Sequence, residues 1–148
     1  MTTKEHEFVE DMGQHMVGWG VARNTGRVYA YLLLQSKPAS LDQIAGDLEI
    51  AKSGVSVATR QLAQFGLARG TGQRGSRRML YEALMNLEAI MAARNAQVVD
   101  LLNRLRQGAH LATTDTGRQR LGEMADTLQD FVDEAPAMLR RLRERRQI

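Results

Sequence analysis

Ser40-Leu41-Asp42-Gln43-Ile44-Ala45-Gly46-Asp47-Leu48-Glu49-Ile50-Ala51-Lys52-Ser53-Gly54-Val55-Ser56-Val57-Ala58-Thr59-Arg60-Gln61-Leu62-Ala63-Gln64-Phe65 decides the fold. Ser40 followed three residues later by Gln43 is a capping-box signal. It opens a helix over Leu41–Leu48, with Leu41, Ile44, Ala45 and Leu48 inward. Glu49–Lys52 leaves room only for a tight turn. A second helix over Ser53–Phe65 buries Val55, Ala58 and Leu62, and Gly66 ends it. Ala45 is small where the second helix crosses the first, Ile50 plugs the turn, and Val55 packs back. That is a helix-turn-helix. Its outward residues are Ser53, Ser56, Val57, Arg60 and Gln64, with Lys52 and Gly54 at the start.

The next residues extend the pattern. Leu67–Arg69 and Arg78–Ala83 read as two strands, joined by the Gly- and Arg-rich tip Gly70–Arg77. From Ala51 to Arg78 the chain carries Lys52, Arg60, Arg69, Arg74, Arg77 and Arg78, and no Asp or Glu. Net charge is only +3 over 148 residues, so this segregation, and not the total, marks a nucleic-acid surface. A slim, polar, basic helix suits a major groove: serines approach backbone and bases, valine meets a thymine methyl, arginine forks onto guanine. The arginine-rich hairpin is then a wing, with Arg74, Arg77 and Arg78 reaching a minor groove or phosphates.

Upstream, Lys4–Trp19 places Phe8, Met12 and Met16 at four-residue steps, one face of an amphipathic helix. Gly18, Gly20 and Asn24 break the pattern, and a second helix over Thr25–Gln35 puts Val28, Leu32 and Leu33 toward the core before Pro38 stops it. Downstream, Leu84–Gln107 carries apolar residues on alternating three- and four-residue steps, with Gly108 as terminator. Twenty-odd residues make a rod of about 35 Å, longer than the small domain needs. Another stripe starts at Thr114 or Asp115, and Pro136 is expected to begin a last short helix. That helix carries Arg140, Arg141, Arg143, Arg145 and Arg146. The expected fold is mainly α with a small β-hairpin wing, divided into a DNA-binding domain over 1–83 and a helical dimerisation region over 84–148. The arm stripes, too apolar for a monomer of this size to cover, point to a homodimer.

The run Asp42–Ala45 through Lys52–Ser56, then Leu62 and Phe65-Gly66-Leu67, resembles the winged-helix regulators of the multiple-antibiotic-resistance (MarR) type. Gly26-Arg27-Val28-Tyr29-Ala30-Tyr31-Leu32-Leu33-Leu34 resembles the second helix of the glycine-betaine-synthesis repressor (GbsR) branch. The resemblance covers roughly Phe8–Ala83. It implies a homodimeric, cytoplasmic transcription regulator, usually a repressor whose affinity for double-stranded DNA changes when a small-molecule effector binds. It places that effector near His15, Trp19 and Tyr31, between the first two helices and the long arm. Glu49 stands where such turns often carry glycine, so a positive φ there costs up to about 1 kcal/mol. The acidic residue common in MarR-type wings is missing between Gly72 and Ser76, leaving Arg74 no carboxylate of its own.

Other readings are weaker. Gly70-Thr71-Gly72-Gln73-Arg74-Gly75 matches the dinucleotide fingerprint, yet a strand follows it and no βαβ unit surrounds it. His6, His15 and His110 are too scattered for a metal site. With no cysteine, nucleophile elbow or phosphate loop, no enzyme or cofactor reading survives. The longest clean apolar run, Tyr29–Leu34, is far too short to span a bilayer, so no membrane partner is expected. The serious competitor is a winged helix that serves only as a protein–protein module without DNA binding.

Overall fold

The computed structural model describes residues 1–147, with side chains through Arg145. The Arg146 side chain and Ile148, both inside the expected dimerisation region, lie outside the described residues. The chain divides after Asn86 into two compact units.

The first unit runs α1 (Thr3–Val17), α2 (Arg23–Leu34), β1 (Ala39–Ser40), α3 (Leu41–Leu48), α4 (Lys52–Gln64), β2 (Ala68–Gly72) and β3 (Met79–Ala83). Thr2 and Glu5 close a reciprocal capping box that starts α1. Asn24, read from sequence as a breaker, lies inside the first turn of α2. The two helices cross with little space between their backbones: a Cβ on Gly26 would stand 3.1 Å from the Gly13 Cα. Val9 and Met16 from α1 and Val28, Ala30, Tyr31 and Leu32 from α2 are buried with Ile44, Val55, Leu62 and Leu67. Leu33, expected in the core, is 40% exposed, because at 100° per residue it falls beyond the stripe set by Thr25, Val28 and Leu32.

α3 has the bounds expected from sequence, and Ser40 Oγ accepts from the Gln43 N–H at 3.1 Å. Glu49 closes it at φ 55° and ψ 42°, the left-handed conformation that its place in the turn requires. The sheet has three antiparallel strands in the order β1-β3-β2. β1, a two-residue strand, escaped the sequence reading; Ala39 pairs with Tyr81 and Ser40 with Leu80. β2 extends to Gly72, three residues further than expected, so the tip shrinks to the turn around Gly75, which has φ 77°. Gly70 pairs with Tyr81 and lies so close to its ring that a Cβ would stand 2.9 Å from Cε1.

The second unit consists of α5 (Leu87–Leu111) and α6 (Asp115–Gln147), packed on each other. Gly108 does not end α5. It lies against α6, where a Cβ would meet Leu121 Cδ1 at 3.3 Å. Pro136 does not start a new helix either; it sits inside α6. One missing hydrogen bond costs less there than stopping a formed helix and nucleating another. Leu102, Ala125 and Ala135 are buried, while Met91, Leu101, Met124, Phe131 and Met138 are exposed in this chain. Arg106 on α5 binds Asp126 on α6 at 3.0 Å. Among the described residues, no helix is long and apolar enough to cross a membrane, and no cluster of His, Asp and Glu could hold a metal ion.

Candidate nucleic-acid interface

α4 buries Val55, Ala58, Thr59 and Leu62 on one side. The opposite side presents Lys52, Ser53, Val57, Arg60 and Gln64 to solvent, with Ser56 half-buried. Val57 is 48% exposed, an apolar methyl pair amid polar neighbours. Gly54 is half-buried and has a packing role: a Cβ there would meet Ile50 Cγ2 at 3.1 Å, so its absence lets the turn close. No side chain caps the start of α4 at Ala51, and its first turn holds no acid. Its unpaired N–H groups and the helix dipole therefore add to the positive field of Lys52.

Two side chains of α2, Thr25 and Arg27, anchor the helix-turn-helix in ways that sequence reading did not foresee, the first on α4 and the second on α3. Thr25, buried in α2, donates its hydroxyl hydrogen bond to Gln61 Oε1. Arg27 donates to Glu10 Oε1 at 2.8 Å, to Asn24 Oδ1 at 3.1 Å and to the Leu48 carbonyl at 3.1 Å. It thus ties α1 and α2 to the last turn of α3, whose carbonyls lack helical partners. The available signal was Arg27 set among Thr25, Gly26, Val28 and Tyr29, all four of them buried.

The basic stripe is acid-free along the chain but not in space. Lys52 pairs with Asp42 from α3, and Arg69 pairs with Glu82, its cross-strand neighbour. Arg78 donates from Nη2 to Ser40 Oγ at 3.0 Å. Among the described residues, Arg60, Arg74 and Arg77 have no ion pair or side-chain hydrogen bond, and all three are exposed. α4 and the wing thus present three uncommitted guanidinium groups, one on the helix and two on the hairpin tip.

The residues expected around an effector occupy unlike settings. His15 and Trp19 meet edge to face, ring centres 5.7 Å apart, with His15 exposed and Trp19 half-buried. Tyr31 is fully buried and donates to Asp47 Oδ2 at 2.6 Å. Burial, and then the Asp47 carboxylate, push its phenol well above the usual range. Tyr29 donates to the Leu84 carbonyl at 2.9 Å and is pushed up by burial. Both tyrosines are core residues with satisfied hydroxyls.

No protein-family model matches the chain. A solved transcriptional regulator superposes with a TM-score of 0.73 at 26% identity, over 95% of this chain and 99% of that one. A MarR-family regulator from Rhodococcus sp. RHA1 aligns over 85% of each chain at 19% identity, with a TM-score of 0.45. YvaV of Bacillus subtilis, named as an HTH-type transcriptional regulator, is 26% identical over 78 residues. That match spans 53% of this chain and 44% of YvaV, less than half of the curated relative's length.

Proposed function

We propose that this chain is a MarR-type transcription regulator of the GbsR branch, a homodimeric repressor that reads an inverted-repeat operator in double-stranded DNA. The observation that carries the reading is the set of uncommitted cations, Arg60 on the exposed face of α4 and Arg74 and Arg77 on the wing. A cation kept without an internal partner beside a slim polar helix face is placed for an external anion. α4 enters a major groove with Ser53, Ser56, Val57, Arg60 and Gln64 toward the bases, while the wing follows the backbone. The exposed apolar side chains of the second unit, Met91, Leu101, Met124, Phe131 and Met138, support a two-fold partner.

A dimer of this kind requires half-site centres about one helical turn, or a multiple of it, apart. A small-molecule effector near His15 and Trp19 would touch surface; Tyr31, inside the core, would respond through packing. Selection of bound sites from random duplexes tests the reading. It requires an inverted repeat and an affinity that falls steeply with salt. A protein that enriches no sequence and shows no salt-dependent binding to duplex DNA would instead be a protein–protein module.

A further inference from the structure

Beneath the wing lies a hollow of about 200 Å³, lined by Ser40, Asp42, Lys52, Arg77 and Arg78 among others. It gathers residues from three places: the end of β1, the facing starts of α3 and α4, and the side of the hairpin loop that leads into β3. Three of the five named side chains are cationic and one is a carboxylate. Arg78 is held from two sides, its backbone N–H on Ser76 Oγ and its Nη2 on Ser40 Oγ, each at 3.0 Å. Ser40 is 2% exposed and also caps α3, so that hydroxyl is fixed and Arg78 is aimed before any ligand arrives. Arg77 has no internal partner among the described residues. Lys52 already binds an anion, the Asp42 carboxylate, but both side chains are about two-thirds exposed, at 67% and 65%. Such a surface pair holds weakly and is readily exchanged.

We propose that this hollow is a seat for one phosphate group, in which Asp42 is the resident anion and Lys52, Arg77 and Arg78 take a phosphate in its place. The intended source is the backbone of bound duplex DNA, so the inference rests on the regulator reading and deepens it. Seated there, a phosphate fixes the distance between the recognition helix and the strand it straddles, a positioning contact without sequence content. Asp42 then sets affinity from inside the protein: it shields Lys52 in the free state and must release it in the bound one.

The test is a double-mutant cycle on Asp42→Asn and Lys52→Gln, read as affinity for a duplex the protein itself has selected, at several salt concentrations. Asp42→Asn is expected to tighten binding by about two- to fivefold, the range of an exposed ion pair. Lys52→Gln weakens binding and flattens the salt slope by about one ion per site. In the Lys52→Gln background the Asp42→Asn gain disappears. If Asp42→Asn leaves affinity unchanged, Asp42 shields nothing the DNA uses, and if it helps equally without Lys52 it acts only as a distant repelling charge; either result overturns the seat. A second arm melts the parent and Asp42→Asn proteins in orthophosphate against chloride at matched ionic strength. Orthophosphate stabilisation that grows in Asp42→Asn while duplex affinity stays constant would overturn the backbone source in favour of free phosphate. A parent protein that binds no duplex refutes the regulator reading itself, an outcome separate from a parent that binds while the cycle shows no coupling.

Discussion

Replacing Arg60 by alanine separates reading from folding. The side chain is exposed and, among the described residues, makes no ion pair or hydrogen bond, so the variant should melt within about 0.5 kcal/mol of the parent. Its position on α4, beside Val57 and one turn from Ser56 and Gln64, aims it at a base edge. A bidentate arginine–guanine pair discriminates by about 1–3 kcal/mol, or about five- to 150-fold in affinity. The loss should concentrate on the cognate duplex and relax preference at one position per half-site. Arg74→Ala and Arg77→Ala, on the hairpin tip, should weaken cognate and scrambled duplexes alike. Each should also lower the log–log salt slope by about 0.9 for every phosphate it ceases to neutralise. Fluorescence anisotropy with cognate and scrambled duplexes across a salt series measures both effects. If Arg60→Ala binds every duplex like the parent, with unchanged preference, the exposed face of α4 does not read bases and the reasoning from uncommitted cations fails.

Glu49→Gly relieves a left-handed residue at φ 55° and should stabilise the first unit by up to about 1 kcal/mol, offset in part by the glycine's greater freedom when unfolded; urea denaturation reads the difference. Tyr31 keeps its phenol proton more firmly folded than unfolded, so its contribution is complete below about pH 10 and declines as pH rises past the unfolded value. Tyr31→Phe should cost about 1 kcal/mol at neutral pH by removing the bond to Asp47, and should reduce the loss of stability at alkaline pH. Sedimentation at micromolar concentration should find a dimer, and charged replacement of the exposed Phe131 should dissociate it without unfolding α5 and α6.

What the sequence disclosed followed the range of the forces involved. α3 was legible to the residue because its signals are local, a serine cap at one end and a tight turn at the other. The positive φ at Glu49 was legible from its place in that turn. The start of α6 at Asp115 was legible too, but the end of α5 and the continuity of α6 were not, because Gly108 and Pro136 are local breakers in a helix pair whose packing outweighs them. β1 was invisible because two residues have no periodicity; only the register with Tyr81 and Leu80 makes them a strand. At the candidate interface, the cations were plain in the sequence but their partners were not. Asp42 reaches Lys52 only once α3 and α4 are side by side, and Glu82 reaches Arg69 only in the hairpin register.

The hairpin itself has a root and a tip of different character. Five residue pairs, from Ala68↔Ala83 to Gly72↔Met79, hold the root, and β1 adds a third strand against it. Beyond Gly72 the loop is exposed and closed by its own bonds, Ser76 N–H to the Gln73 carbonyl and Gln73 N–H to the Arg78 carbonyl. Residues inserted between Arg74 and Gly75 would leave every strand pair and the packing of α4 in place. The length of the tip is therefore free to drift independently of the helix beside it. Descendants of one such chain can acquire longer or shorter reach by insertion alone, without a compensating change anywhere in the core.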